Sequence, residues 1–380
     1  MIPGLYIHIP FCSTKCIYCD FYSIKTSTHK NKDNLFDTFI QSIKKEIEIY
    51  KSQIKNNVFS TIYIGGGTPS ILPIKHIDSL FSCIFNTFSF NSNLEFTIEL
   101  NPESTTHEKL LLYKEWGINR ISLGCQTFND TILKAIGRYT SAKEIIEKYN
   151  LIRNLGFNNV SIDIIFALVN QTANQYKEDL KIAVSLKPEH ISAYSLTLGR
   201  KILNSRIEKG IFELTNENDV LKEYLFTHKY LEENGLYFYE VSNFAQKGKE
   251  SIHNINYWQQ KDYLGLGPSA CGTINYNRYS NARKLKSYFN LLSQNKLPID
   301  FSETLDSQKI RDELIMLSLR TKQGLNINMI KELSDESWYN SFQAKVSEYN
   351  KLGFLNQQGN YITATLKGLL ILNRLIINLS

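Results

Sequence analysis

The chain has 380 residues, with 43 Lys and Arg against 37 Asp and Glu for a net charge of +6, 42% hydrophobic residues and six cysteines. That length exceeds one core of about 100–200 residues and excludes a short disulfide-stapled scaffold, while 22 Tyr and 21 Phe among only 21% charged residues exclude a disordered chain. The positive charge is mild and scattered, so no nucleic-acid partner is expected.

The first residues, Met1 to Pro10, show no basic region ahead of a long apolar stretch, so no signal peptide is expected. No apolar run reaches about 18 residues, and the segment Leu369–Leu379 is broken by Asn373 and Arg374, so a cytoplasmic protein is expected. In a reducing compartment, clustered cysteines read as metal ligands or catalysts rather than disulfides.

In chain order, β-rich runs fall at Leu5–Ile9, Thr61–Ile64, Glu95–Leu100, Arg120–Gly124, Val160–Phe166 and His190–Leu198. Their nearly continuous apolar content predicts parallel strands covered on both faces by helices. A helix is predicted over Asn34–Lys51, where Leu35, Phe36, Phe39, Ile43, Ile47 and Tyr50 recur at helical spacing. Six such βα units make either an open doubly wound sheet or an incomplete barrel; both place ligands at the C-terminal strand ends.

Later elements are less regular: a helix over Asn218–Glu233, an aromatic strand over Tyr237–Val241, then a polar aromatic stretch from His253 to Tyr263. Helical patterns follow at Ser307–Leu319, Ile327–Leu333 and Ser341–Leu352. Gly353–Thr363 reads as two short strands around Gln358-Gly359-Asn360, ahead of a last helix. The expected division is a partial barrel over 1–210, a barrel extension over 211–303 and a winged-helix-like α+β appendage over 304–380.

Cys12, Cys16 and Cys19 follow the first β run as C-x3-C-x2-C. Three thiolates on one loop can hold a 4Fe-4S cube at three corners and leave one iron open to a ligand. The alternative is a zinc site, which would need a fourth ligand such as His8. Gly65-Gly66-Gly67-Thr68-Pro69-Ser70 follows the second β run, where glycines let backbone approach a ligand closely. Glu99 and Asn101 close the third run, Gln126 the fourth, Asp163 lies in the fifth, and Arg138 sits in the connection after the fourth. Carboxylates suit an amine or ribose hydroxyls, and Arg suits a carboxylate.

Tyr6-x-His8-x-Pro10-Phe11-Cys12 with Tyr18-Cys19-Asp20-Phe21 resembles the radical S-adenosylmethionine (SAM) superfamily. The resemblance implies an α/β fold built as an incomplete (β/α)6 barrel, with SAM on the open iron. With the glycine loop, Arg120-Ile121-Ser122-Leu123-Gly124-x-Gln126-Thr127-Phe128 and Tyr239-Glu240-Val241-Ser242-Asn243-Phe244-Ala245, the chain resembles the oxygen-independent coproporphyrinogen III oxidase-like family over essentially its whole length.

Two branches divide that family. The true oxidase carries a fourth cysteine two residues after the third and a long N-terminal extension; here that position is Phe21, and eleven residues precede Cys12. His253-Asn254-Ile255-Asn256-Tyr257-Trp258 is similar to a motif of the haem-chaperone branch. Imidazole is a common axial haem ligand, and Tyr and Trp offer flat apolar surface.

The resemblance therefore implies a protein that binds a 4Fe-4S cluster, SAM and haem and transfers haem to an acceptor such as a respiratory haemoprotein. The oxidative decarboxylation of coproporphyrinogen III is the alternative, with oxidase activity in doubt through Phe21. Metal ligands would be Cys12, Cys16 and Cys19. Cofactor contacts would be Tyr6, Tyr18, Gly66, Gly67, Thr68, Glu99, Gln126, Arg138, Asp163 and His253. The implied partners are haem, the acceptor, and an electron donor such as flavodoxin or ferredoxin, with weak membrane-surface association through the acceptor. Departures from the family include Thr140 and Cys271 for His, Ala167 for Gly and Val169 for Pro in one tripeptide, and Gly199 for Glu. Cys271 reads either as a thiolate haem ligand or, preferred, as a small buried hydrophobe.

Overall fold

The computed structural model describes residues 2–28, 31–54, 57–198 and 201–380. Each of the six β-rich runs forms a parallel strand: β1 (Gly4–Ile9), β2 (Val58–Gly66), β3 (Ser89–Leu100), β4 (Arg120–Gln126), β5 (Val160–Phe166) and β6 (His190–Ser195). Each strand pairs with the next in that order. Helices α1 (Lys32–Gln53), α2 (Ile74–Thr87), α3 (His107–Glu115), α4 (Ala142–Asn154) and α5 (Ala173–Ser185) fill the crossovers. Helix α1 buries Phe36, Phe39, Ile40, Ile43, Ile47 and Tyr50 along one stripe and starts where the Asn31 side chain accepts from the Asn34 N–H.

The strands are apolar on one face only, which corrects the expectation of helices on both sides. Leu5, Ile7, Ile9, Ile62 and Ile64 point into the helix-side core, and the alternate positions Tyr6, His8, Thr61 and Tyr63 bond to other polar groups. The concave face is therefore a polar lumen, as in a partial barrel.

The sheet continues past both ends of the six strands. Next to β6 lie β7 (Tyr237–Glu240) and β8 (Asn243–Ala245), antiparallel, in the order β6-β8-β7. Next to β1 lies β9 (Tyr263–Leu266), parallel to it, followed by antiparallel β10 (Cys271–Ile274), β11 (Asn277–Asn281) and β12 (Ile299–Thr304). All twelve form one sheet. Helices α6 (Glu217–Glu233), α7 (Ile252–Trp258) and α8 (Leu285–Ser293) pack around it.

Beyond residue 304 a separate apolar core forms around Leu314, Ile315, Ile330, Phe342, Val346, Ile362 and Leu375. It comprises α9 (Ser307–Ser318), α10 (Ile327–Glu332), α11 (Glu336–Lys351) and α12 (Leu372–Leu379) with a sheet of β13 (Leu325–Asn326), β14 (Leu355–Gln358) and β15 (Tyr361–Ala364). Helix α11 begins five residues before the predicted Ser341 because Asp335 accepts from the Trp338 N–H and caps it. The Val241 N–H donates to the Arg320 carbonyl, and the Lys322 N–H to the Tyr239 carbonyl, both at 2.9 Å, so this unit is stitched to β7. Among the described residues no helix is long and apolar enough to cross a membrane.

One buried carboxylate ties α1 to the sheet extension. Glu46 accepts from the Gly267 N–H (2.9 Å), Asn281 Nδ2 (2.6 Å) and the Tyr288 hydroxyl. Burial pushes its pKa from 4.5 up to about 7, against those three donors. A carboxyl whose folded pKa is raised contributes stability below its unfolded pKa and loses it as pH rises through the folded value. We expect wild-type stability to fall by about 2–3 kcal/mol more than that of Glu46→Gln between pH 5 and pH 8. Urea unfolding of both proteins across that range checks it; parallel curves would refute the assignment.

Candidate functional site

The three clustered cysteines leave the C-terminal end of β1 on a loop that returns to its own start. Phe11 and Cys12 pair in parallel with Ile24 and Lys25, the Ile24 N–H donates to the Pro10 carbonyl (2.7 Å), and Thr26 Oγ1 donates to the Cys12 carbonyl (3.2 Å). His8 holds the loop from below. Its Nε2 lies 2.8 Å from the Tyr22 carbonyl and its Nδ1 3.0 Å from the Tyr6 hydroxyl. A carbonyl only accepts, so Nε2 carries the proton and Tyr6 donates to Nδ1. Burial lowers the His8 pKa to about 4 and keeps the ring neutral. His8 is therefore committed to the backbone, not held as a fourth metal ligand.

The glycine loop after β2 packs directly on this segment. Gly67 N–H donates to the Ile9 carbonyl (2.8 Å) and Thr68 N–H to the Phe11 carbonyl (2.7 Å). Thr68 Oγ1 donates to Cys12 Sγ at 3.5 Å and accepts from Asn101 Nδ2 at 2.9 Å. Asn101 Oδ1 in turn accepts from Arg138 Nη1 (3.1 Å), whose Nη2 reaches the Gly124 carbonyl (2.8 Å). A single hydrogen-bonded chain thus joins the ends of β2, β3 and β4 to Cys12. Arg138 is buried, with Nε 3.5 Å from Glu103 Oε1.

The neighbouring predicted contacts fall on the same rim. Glu99 accepts from the Gly66 N–H (3.1 Å) and the Tyr63 hydroxyl (2.8 Å), and burial pushes its pKa up to about 7. Gln126 ends β4 with φ of 73°, a strained value for a non-glycine residue. A side-chain carbon on Gly124 would come within 2.9 Å of Gln126 Nε2 and 3.1 Å of Asn101 Oδ1, so the amide ends of Gln126 and Asn101 close over this glycine. Tyr18 sits by Cys16, Arg138 and Cys19; burial raises its pKa well above the ordinary value. Burial likewise raises the Cys12 thiol, against the hydroxyls of Thr68 and Ser23. Among the described residues no three His, Cys, Asp or Glu side chains converge closely enough for one metal ion.

Two predicted contacts lie apart from this rim. Asp163 sits within the lumen, accepting from Ser122 Oγ (2.7 Å) and Ser161 Oγ (3.1 Å), and burial raises its pKa. His253 belongs to the floor. It follows the Ser251 cap of α7, whose first N–H groups are held by Glu95, with Ile252 N–H at 2.8 Å and His253 N–H at 2.9 Å. Its Nδ1 is 2.8 Å from Thr61 Oγ1, its Nε2 is 2.7 Å from the Tyr257 hydroxyl, and the ring stacks on Tyr63. It lies near Gly4 at the start of β1, the end opposite to Cys12. With both nitrogens bonded and the ring 1% exposed, His253 offers haem iron no lone pair in this conformation.

Removing that ring leaves a cavity and two buried hydroxyls without their partner. We expect His253→Ala to lower the unfolding free energy by about 2–4 kcal/mol. Chemical denaturation checks this; an unchanged midpoint would show that the floor does not depend on His253.

The family departures have local accounts. Thr140 Oγ1 donates to Glu144 Oε2 (2.8 Å) at the start of α4. Val169 is buried in a small apolar cluster with Ile17 of the cysteine loop, Ile136 and Phe212. Gly199 lies outside the described residues. Cys271 is exposed, which overturns its reading as a small buried hydrophobe; Cys125 is the buried one. A side-chain carbon on Gly265 would lie 1.8 Å from the Cys271 carbonyl oxygen, so the β10 backbone crosses close over β9 at that glycine. Phe21 is 68% exposed beside the cysteine loop. Tyr22, Asn101 and His8 complete the site; only Asn101 and His8 had a sequence signal, at a strand end and in the Tyr-x-His motif.

The model of the radical SAM superfamily matches residues 6–183, and that of the HemN C-terminal domain matches 305–371. A relative from Bacillus subtilis (strain 168), named heme chaperone HemW, is 32% identical over 373 residues, covering 97% of this chain and 96% of that protein. The chain belongs to the HemW family. A further HemW from Lactococcus lactis is 32% identical over 96% of this chain and 93% of its own length. Among solved structures, coproporphyrinogen III oxidase (HemN) from Escherichia coli superposes with a TM-score of 0.87 at 22% identity, over the whole of this chain and 90% of that one. HemW and HemN thus share the radical SAM fold and its C-terminal unit, and the partial barrel with its appendage is the family architecture.

Proposed function

We propose that this chain is a haem chaperone: it binds haem and delivers it to an acceptor haemoprotein, and it carries a 4Fe-4S cluster and SAM. The observation that carries this reading is full-length similarity to proteins named heme chaperone HemW. Cys12, Cys16 and Cys19 would hold three irons of the cluster, and SAM would sit on the fourth. The fit rests on the donor set: three thiols on one pinned loop, and a glycine turn whose backbone touches the strand leading to Cys12. When bound, the cluster supplies an electron-transfer site.

The protein groups do the positioning. Tyr6 and His8 hold the loop, Gly66, Gly67 and Thr68 present backbone and hydroxyl, and Glu99, Gln126 and Arg138 offer a carboxylate, an amide and a guanidinium to a zwitterionic ligand. Tyr18 and Asp163 complete the contact set, and His253 enters as the anchor of the lumen floor. The reading includes a barrel over 1–210, its extension over 211–303 and an appendage over 304–380, supported by the separate core of the last segment. It also includes a cytoplasmic location, an electron donor of the flavodoxin or ferredoxin kind, and weak membrane-surface contact through the acceptor.

The test is direct transfer. Protein loaded with haem is mixed with an apo-haemoprotein, and the Soret band of the acceptor is followed against a free-haem control. Transfer faster than from free haem is expected. Formation of protoporphyrinogen from coproporphyrinogen with SAM and reductant would instead establish the oxidase.

A further inference from the structure

A line of buried hydrogen bonds crosses the lumen wall and ends on Asp163. Ser161 Oγ, on β5, lies 3.1 Å from Asp163 Oδ1 and 2.8 Å from Nδ1 of His190, its neighbour on β6. His190 Nε2 lies 2.8 Å from the hydroxyl of Tyr239 on β7, and the Ser251 N–H, at the cap of α7, lies 3.4 Å from that same hydroxyl. Ser161, His190 and Ser251 are fully buried, so water does not compete for these bonds.

The two ends of the line fix its direction. A backbone N–H only donates, so the Tyr239 oxygen accepts from Ser251 and its own proton goes to His190 Nε2. An ionised carboxylate only accepts, so the single Ser161 proton goes to Asp163 and the Ser161 oxygen accepts from His190 Nδ1. Both deductions call for one state of the ring: neutral, with its proton on Nδ1. Burial, and after it Arg120, lowers the His190 pKa well below the ordinary value and keeps the ring neutral. Ser122 Oγ gives Asp163 a further hydrogen bond, 2.7 Å from Oδ2. A carboxylate has about four acceptor positions, so the two serines leave room for a ligand's donors.

We propose that this one-way line positions Asp163: Tyr239 selects the His190 tautomer, His190 turns the Ser161 proton onto the carboxylate, and the carboxylate is thereby held as an acceptor for hydroxyl or ammonium groups of a ligand. The proposal rests on the reading of Asp163 as a cofactor contact and adds the residues that act behind it. Without the Tyr239 hydroxyl the ring is free to take its other tautomer, whose bare Nδ1 draws the Ser161 proton away from Asp163. Arg120 and Cys125 on β4, Glu99 on β3, Tyr63 on β2 and Tyr194 on β6 lie within electrostatic reach of Asp163, so its titration is followed by its own signal.

The test is NMR of the full-length protein. Nitrogen spectra of histidine-labelled wild type read the tautomer with no substitution at all: a proton on Nδ1 of His190 is expected, and a proton on Nε2 would overturn the proposal. Carboxyl-carbon spectra of aspartate-labelled protein, with the Asp163 signal assigned by its loss in Asp163→Asn, read the titration midpoint. A donor favours the charged form, so removing one raises the midpoint. Tyr239→Phe and Ser161→Ala are each expected to raise it by about one pH unit, the worth of one hydrogen bond to a charged group. Because Tyr239 acts through Ser161, the double variant is expected to match Ser161→Ala within about 0.3 pH unit. Additive shifts, or an unmoved midpoint in Tyr239→Phe, would overturn the line as a positioning device. SAM titration of the protein with its cluster reconstituted then separates the line from the reading beneath it. Binding that needs the carboxylate is present above the midpoint and lost as pH falls through it, so the loss should begin about one pH unit higher in Tyr239→Phe. Equal SAM affinity in wild type and Asp163→Asn would instead remove Asp163 from the cofactor contacts, whatever the tautomer and midpoint show.

Discussion

Replacing any one of Cys12, Cys16 or Cys19 by Ala is expected to lower the iron and sulfide retained after anaerobic reconstitution by about tenfold or more. The loop has no spare thiol to take over. Cys125 is buried, Cys83 lies on α2 and Cys271 on β10, while the position two residues after the loop's third cysteine is filled by exposed Phe21. His8 is bonded to the Tyr22 carbonyl and Tyr6, so it is not a reserve ligand. Iron and sulfide analysis with the visible absorption spectrum reads the result. Full retention in any one variant would remove that residue from the ligand set. Because the loop is also closed by Phe11 and Cys12 pairing with Ile24 and Lys25, the variants should melt close to the apo wild type.

Gly67→Ala should have an effect of similar size by a different route. A side-chain carbon there would lie 2.6 Å from the Phe11 carbonyl oxygen and 3.0 Å from that of Ile9. Both are backbone atoms of the segment that carries Cys12, and neither can rotate away. The substitution must push the glycine loop off the cysteine loop and break the Gly67–Ile9 and Thr68–Phe11 hydrogen bonds. Overpacking of this kind costs about 1–3 kcal/mol, and SAM binding should weaken at least about tenfold as the loop moves. Gly117→Ala is the control: its φ is +82°, but nothing lies within 4 Å of the added carbon, so it should cost about 1 kcal/mol and leave SAM binding intact. Calorimetric SAM titration of both variants decides the matter. Equal SAM affinity in wild type and Gly67→Ala would show that loop contact does not position the ligand.

Much of the molecule is legible residue by residue. The strands from β1 to β6 announce themselves because buried β-branched and aromatic runs have few other places to go, and α1 because its apolar residues recur every three or four positions. The cysteine and glycine motifs are legible for the same local reason: ligand spacing and backbone freedom are written in consecutive residues. The strands from β9 to β12 are not, since stretches such as Asn277–Asn281 carry mostly polar residues and take strand form from their neighbours.

What tertiary structure decided is which polar groups meet. Thr68 and Cys12 are 56 residues apart, His253 and Thr61 are 192 apart, and Glu46 and Tyr288 are 242 apart. No periodicity records such pairs. The sequence alone determined the strand-end motifs, the family and the three thiols. The tertiary structure decided that the concave face is polar, that His253 is a bonded floor residue, that Cys271 is exposed, and that Ser251, Tyr239, His190 and Ser161 line up behind Asp163. The reason is physical: backbone preference and burial periodicity act over a few residues, whereas hydrogen-bond partners and cavities exist only once distant segments have been brought together.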